Sequence, residues 1–435
     1  MAQLDDRKTI LAWSLYDWAN SAFATTVMAG FFPIFFKMYW NTGVDPVTST
    51  ARLGIANSVA SVFIVLLAPF LGSIADQGSA KKKFLFFFAF MGIVMTCGLF
   101  FVTQGNWLLA MLLYMAATIG FSGSNIFYDA LLPSIASEKK LDFVSALGFS
   151  LGYLGGGVLF AVNVAMVLSP ETFGFADKAS ATQFSFLTVG LWWAMFSIPI
   201  FLWVEEPKNQ NEKPKGNLIV AGFRQLTETF REIKQLKTIF LFLLAYWLYI
   251  DGVDTIVRMS VDYGMSIGFE DTDLITALLL VQFVGFPAAI AFGFLGQKIG
   301  AKAGIYIAIF VYLGISVGGA FIDEKHEFYI MAAVIGLVQG GIQALSRSYY
   351  ARMIPKGKTA EFFGFYNMLG KFAAVIGPAL MGFVGLFIRN MGYTSDFASR
   401  ASITSIAILF ILGAIIFYFV DEEKAKQEVA DLYGE

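Results

Sequence analysis

Tyr16-Asp17-Trp18-Ala19-Asn20-Ser21-Ala22-Phe23 sets a carboxylate and an amide one helical turn apart inside a long apolar run. An aspartate deep in a bilayer costs about 2.5–3.5 kcal/mol on insertion scales, so such a residue is rarely kept without a use. A spacing of three puts Asp17 and Asn20 on one helix face, with Trp13 and Ala24 in line. That face reads as a polar stripe lining a water-filled cavity. The plainer alternative is a carboxylate snorkelling to the headgroups, since Asp17 lies about two turns from the membrane edge.

The surrounding chain has 435 residues, of which 57% are hydrophobic and 14% charged. Soluble domains carry about 25% charged residues, so this composition excludes an ordinary globular protein and indicates a polytopic membrane protein. The single cysteine, Cys97, lies in an apolar run and reads as a buried, inert thiol. The single histidine, His326, lies in the charged turn Asp323-Glu324-Lys325-His326-Glu327 and reads as solvated. The apolar run after the polar segment Met1 to Thr9 is too long for a signal peptide, so a cleavable leader is not expected.

A spanning helix needs about 20 mostly apolar residues. Twelve stretches qualify: 10–39, 52–75, 84–103, 107–133, 143–168, 183–204, 238–262, 272–296, 303–322, 328–351, 362–388 and 401–420. The predicted organisation is a first six-helix bundle over 1–204, a linker over 205–237, a second bundle over 238–420 and a tail over 421–435. Within the linker Ile219, Phe223, Leu226, Phe230 and Ile233 recur at helical steps while Arg224, Arg231 and Lys234 face away, which predicts an amphipathic helix lying on the membrane. Lys and Arg crowd one set of connections, among them Lys81 to Lys83, Lys139 and Lys140, Lys298 and Lys302, and Lys356 and Lys358. Both termini and the linker are therefore predicted to be cytoplasmic.

The two halves echo each other. Gly72-Ser73-Ile74-Ala75-Asp76 ends the second span and Gly293-Phe294-Leu295-Gly296-Gln297-Lys298 ends the eighth, an offset of 221. Leu132-Pro133 and Ile354-Pro355 stand 222 apart, and Gly148-Phe149 and Gly364-Phe365 stand 216 apart. Weak six-plus-six symmetry is a signature of secondary transporters. Spans one, four, seven and ten carry polar stripes: Asp17 and Asn20; Asn125 and Asp129; Asp251, Asp254 and Arg258; Gln339, Gln343 and Arg347. Spans three, six, nine and twelve have no interior charge, so one helix of each triplet is expected to line a central cavity and one to face lipid.

Gly72-x-x-x-Asp76 followed by Lys81-Lys82-Lys83 resembles the loop signature of the major facilitator superfamily, with a repeat copy at Gly293-x-x-x-Gln297-Lys298-x-Gly300-x-Lys302. The first copy departs from the pattern, with Gly78 one residue early and Gln77 in place of a basic residue. Tyr16-Asp17-Trp18-Ala19-Asn20-Ser21 is similar to the vacuole-effluxer-like branch named for the fungal autophagy-related amino-acid exporter. Gln343-Ala344-Leu345-Ser346-Arg347-Ser348, Ile354-Pro355, Glu361-Phe362-Phe363-Gly364 and Gly377-Pro378 resemble it too. The resemblance covers essentially the whole chain and looks like a shorter bacterial member. It implies an all-α membrane protein of twelve transmembrane helices in two pseudo-symmetric six-helix bundles, the major facilitator fold. It also implies efflux of amino acids or related small metabolites across the cell (inner) membrane.

Asp251, at the middle of span seven, is the favoured carboxylate for carrying a proton or binding a cation; a structural aspartate is its alternative. Asp254 and Arg258, four apart, suit an internal ion pair. Gln339 and Gln343 offer amides to a zwitterion, or equally to neighbouring helices. Arg347 suits a gate better than direct substrate contact. Lys371 suits an ion pair with a partner the sequence does not name. Gly72, Asp76, Gln297 and Lys298 form the expected gating loops, with Asp76 set against the amino-terminal end of span eleven near Phe362 to Gly364. Gly148, Gly152, Gly155, Gly156 and Gly157 read as a close-packing helix face.

The expected activity is alternating-access export of amino acids or related solutes by a monomer, with proton coupling left open. Export of amphipathic cargo such as lysolipids or drugs on the same fold is the competing reading. No enzymatic activity, cofactor, metal site or nucleic-acid partner is expected; the partners are a small-molecule substrate and the lipid bilayer.

Overall fold

The computed structural model describes residues 4–44, 46–206, 227, 231–232, 235–266, 270–372 and 376–433, and all regular structure among them is helical. In the first half α1 spans Arg7–Trp40, α2 Pro46–Gly78, α3 Lys81–Gly98, α4 Trp107–Ile135, α5 Leu141–Leu168 and α6 Lys178–Trp203. In the second half α7 spans Lys237–Ser266, α8 Asp271–Ile299, α9 Ala301–Gly318, α10 Lys325–Met353, α11 Thr359–Phe372 and α12 Ile376–Asn390. The chain ends with α13 (Ser395–Ser405), α14 (Ala407–Tyr418) and α15 (Glu422–Tyr433). Among the described residues eleven helical stretches are long and apolar enough to cross a membrane, namely α1 to α10 and Phe397–Tyr418, which runs through α13 and α14; Ile376–Asn390 is a shorter apolar one. The single stretch predicted at 362–388 is thus carried by α11 and α12. The predicted surface helix at 219–233 lies outside the described residues, apart from Thr227, Arg231 and Glu232.

Polar caps close the helix starts where the sequence supplies them. Asp6 accepts from the Thr9 backbone N–H at 2.8 Å and its hydroxyl at 2.9 Å, which starts α1. Asp177 and Ser180 form a capping box on α6, and Glu324 and Glu327 form one on α10. The first half of α1 is regular to Ala22, after which Phe23–Phe31 and Phe36–Trp40 take wider turns. Pro33, between those two stretches, has no N–H to donate to the usual ladder.

The outward faces are apolar at helical spacing. Phe86, Phe90 and Val94 of α3 are exposed, as are Leu191, Met195, Ile198 and Leu202 of α6, Phe310 of α9 and Ile408, Ile411 and Ile415 of α14. These are the third, sixth, ninth and twelfth spans, and their stripes suit contact with lipid. α2 also turns Ile55, Val62 and Leu66 outward.

Two pseudo-equivalent seams join the halves: α2 packs on α11, and α5 packs on α8. Each crossing is close enough to require glycine. A side chain on Gly72 would run into the Ala360 carbonyl, and one on Gly364 would come within 2.7 Å of the Ala68 carbonyl oxygen. Across the other seam a Cβ on Gly293 would sit 2.6 Å from that of Ala146. Both chain ends lie on one face, where Asp5 binds Ser137 and Lys426 binds Glu138 in the α4–α5 turn. We call this the terminal face. Within the predicted tail α15 buries Ala425 and Val429, and Glu428 accepts from the backbone and hydroxyl of Thr238 at 2.9 Å each.

Candidate transport cavity

A cavity of about 440 Å³ lies at the centre, between the two halves. That falls in the range of small-molecule sites. Helical spacing puts one stripe from each of four helices into its wall: Asp17 and Asn20 of α1, Asn125 and Asp129 of α4, Asp254 of α7, and Gln339, Gln343 and Arg347 of α10. From this floor the cavity extends away from the terminal face to Leu274 and Phe328, near the starts of α8 and α10.

An aromatic platform holds the first stripe. The Trp13 indole donates to the Tyr128 carbonyl at 3.0 Å, and the two rings stack with centroids 4.3 Å apart. The Tyr128 hydroxyl then donates to Asp17 at 2.9 Å. A Cβ on Gly148 would sit 2.8 Å from both that hydroxyl and Asp17 Oδ2, so only glycine on α5 leaves room for the pair. One turn on, Asn20 Nδ2 donates to Asn125 Oδ1 at 2.6 Å.

Arg347 is the hub of the floor. Its Nη1 lies 3.0 Å from Asp129 and 3.6 Å from Asp17. Nε donates to the Ser145 hydroxyl at 2.9 Å and Nη2 to the Ser145 carbonyl at 2.8 Å. The guanidinium also lies over the rings of Phe149 (4.3 Å) and Trp13 (4.9 Å). Asn367 of α11 donates to the other Asp129 oxygen at 3.1 Å. Two residues of the second half thus grip carboxylates of the first, with Arg347, Asp129 and Asp17 all buried.

Asp251 stands apart from the other stripe residues. It is fully buried and outside the cavity wall; its oxygens accept from the backbone N–H of Gly377 (2.9 Å) and Ile376 (3.1 Å) and from Thr255. It thereby ties α7 to the first described residues of α12. The expectation that Asp251 and Asp17 share one cavity is therefore corrected: Asp254, one turn along α7, is the stripe's carboxylate in the wall. The side chains of Arg258 and Lys371 lie outside the described residues. Gln339 has its Oε1 buried and without a hydrogen-bond partner. His326 is exposed and beside Glu324 at 3.0 Å.

Sequence reasoning missed Gln282, Asn367, Tyr153, Tyr246 and Tyr366 in the wall. Gln282 and Asn367 are each a lone polar residue in an apolar run, and that isolation was the available signal. The tyrosines carried none, because an apolar ring with a polar tip fits lipid, core and cavity alike.

The terminal face is closed by contacts between the halves. Asp76 accepts from the backbone N–H of Ala360 (3.1 Å) and Glu361 (2.8 Å) at the start of α11, and Lys81 lies 3.0 Å from it. These N–H groups lie just before the predicted 362–364. Across the pseudo-equivalent seam Gln297 donates to the Lys139 carbonyl at 3.0 Å, while the neighbouring Lys298 is exposed. Asp142 of α5 accepts from Arg352 at 2.5 and 2.9 Å and from Ser348 at 2.5 Å, both on α10.

Comparison with known proteins agrees with this architecture. Residues 43–430 match the family described as vacuole effluxer Atg22 like. The MFS-type transporter YxiO of Bacillus subtilis, itself uncharacterized, is 39% identical over 95% of this chain and 94% of its own length. Autophagy-related protein 22 of Yarrowia lipolytica is 22% identical over 91% of this chain and 78% of its own. Among solved structures the proton:xylose symporter XylE superposes with a TM-score of 0.70 at 13% identity, covering 98% of each chain. The human organic anion transporter MFSD10 gives 0.69 at 12% identity, covering 95% of this chain and all of that one. At such identities these structures speak for the fold alone. The chain belongs to the vacuole effluxer Atg22-like family of the major facilitator superfamily: it is a multi-pass membrane transporter for small molecules and not an enzyme.

Proposed function

We propose that this vacuole effluxer-like transporter exports amino acids or related small solutes by alternating access, as a monomer in the cell (inner) membrane with both termini cytoplasmic. The observation that carries the reading is the central cavity, walled by amides and carboxylates of both halves and sealed at the terminal face by contacts that cross between them. The lysines and arginines gathered at the terminal-face connections support the orientation. Amide and carboxylate groups on a mostly apolar wall suit a small solute with a polar head.

In this reading Asp17, Asn20, Asn125, Asp129, Asp254, Gln339 and Gln343 receive solute, while Gly72, Asp76, Gln297, Lys298, Arg347 and Lys371 belong to the closing machinery. Asp251 holds α12 in place. A proton driving transport is taken up by a cavity carboxylate, and on α7 that is Asp254. Proteoliposomes loaded with a labelled amino-acid mixture, with and without a pH gradient, test the proposal. Exchange of label that depends on the protein, and accumulates further under the gradient, is the expected result. Asp254→Asn should lose the accumulation and keep exchange, whereas Asp251→Asn should lower both through helix packing. Absence of any amino-acid flux would overturn the reading.

A further inference from the structure

Arg347, Asp129 and Asp17 occupy two positions at once: they floor the cavity, and they join α10 of one half to α4 and α1 of the other. Any movement that opens the terminal face must pull the guanidinium away from Asp129 and from the Ser145 hydroxyl and carbonyl. Separating a buried ion pair without replacement leaves charges uncompensated, which is strongly unfavourable. A ligand in the cavity changes this only if it supplies the missing charges.

We infer that the ligand unlocks the terminal face by exchanging partners with this cluster, its ammonium group taking Asp17 and Asp129 while its carboxylate takes Arg347. The inference rests on the amino-acid reading above and deepens it by making Arg347 and Asp129 specificity-determining. Both charges must sit on one small molecule. An amine without the carboxylate leaves Arg347 unpaired; an acid without the amine leaves the aspartates unpaired. Either leaves a buried charge alone, a difference of roughly a hundredfold in effective binding. Ser145 and Asn367, which now hold the guanidinium and Asp129, are neutral partners and do not remove that requirement.

The test uses the full chain in lipid nanodiscs, spin-labelled at the exposed positions Lys139 and Lys356 on the terminal face of the two halves. Three mixtures are compared at equal concentration: the twenty amino acids, the amines formed by their decarboxylation, and the acids formed by their deamination. The amino-acid mixture should lengthen the label distance, with each other mixture needing about a hundredfold higher concentration. Arg347→Gln should shift the preference towards the amines and Asp129→Asn towards the acids, whereas loss of mere structural support would weaken all three alike. Arg347→Lys, which keeps the charge, repeats the comparison should Arg347→Gln not fold; it should weaken the amino-acid response more than the amine response. An amine or acid mixture as effective as the amino acids overturns this inference alone. No response to any mixture, together with no amino-acid flux in proteoliposomes, overturns the amino-acid reading and this inference with it.

Discussion

The seam between α2 and α11 and the seam between α5 and α8 share a backbone plan but not a chemistry. Both cross at glycines, Gly72 and Gly364 on one side and Gly293 on the other. At the first, Asp76 puts a full negative charge on the N-terminus of α11 and holds Lys81 against it. At the second, the matching Gln297 makes one neutral bond to the Lys139 carbonyl, and the charged contact lies beside the seam, between Asp142 of α5 and Arg352 of α10. Pseudo-symmetry therefore fixes where helices meet, while the strength of each meeting is set residue by residue.

The largest expected effect is at the buried pair. Asp142→Ala removes the shorter of the two anions on Arg352 and leaves it only Glu422 at 3.4 Å, so it should cost about 3 kcal/mol of the state closed at the terminal face, the low end for a broken buried pair. Spin labels across that face should report the wider distance as the majority population; an unchanged distribution would mean that the existing pair with Glu422 suffices to hold Arg352. Next comes Gly72→Ala. Its Cβ meets the Ala360 backbone, which has no rotamer to yield, so about 1–3 kcal/mol of overpacking should loosen the α2–α11 seam. Faster cysteine labelling at Ala360 than in the parent protein would report it.

Asp76→Asn should be milder, about 0.3–2 kcal/mol, because the amide oxygen still accepts one N–H while the charge against the helix end is lost. The population open at the terminal face should rise, and high salt should add little to that shift in the parent protein, because Asp76 and Lys81 are buried and poorly screened. Gln297→Ala should be the smallest change, at most about 0.5–1.5 kcal/mol for one exposed hydrogen bond. If Gln297→Ala opened the face as much as Asp76→Asn, the contrast between the seams would fall.

Much of the site was legible as helix faces. Asp17, Asn20, Asn125 and Asp129 stand three or four residues apart, and such residues share a face whatever the helix packs against. Asp251 and Asp254 show the limit of that argument. They also stand three apart, yet Asp254 reaches the cavity and Asp251 turns to α12. A face some 100° wide spans both a cavity wall and a helix contact, and spacing along one helix does not say where the boundary falls. Arg347 was legible as a charge near a helix end. Its grip on Asp129, 218 residues away, was not.

The amino-acid sequence alone determined the membrane class, the spanning stretches, the triplet rhythm of polar and apolar helices and the family. These follow from local hydropathy, helical periodicity and motif spacing, which need no knowledge of a neighbour. Only the tertiary structure decided that Asp251 serves α12, that Arg347 bridges the halves at the cavity floor, and that α15 docks on the terminal face. Each depends on how far one helix is rotated and slid against another, a choice made by glycine-sized gaps and buried charges hundreds of residues apart along the chain.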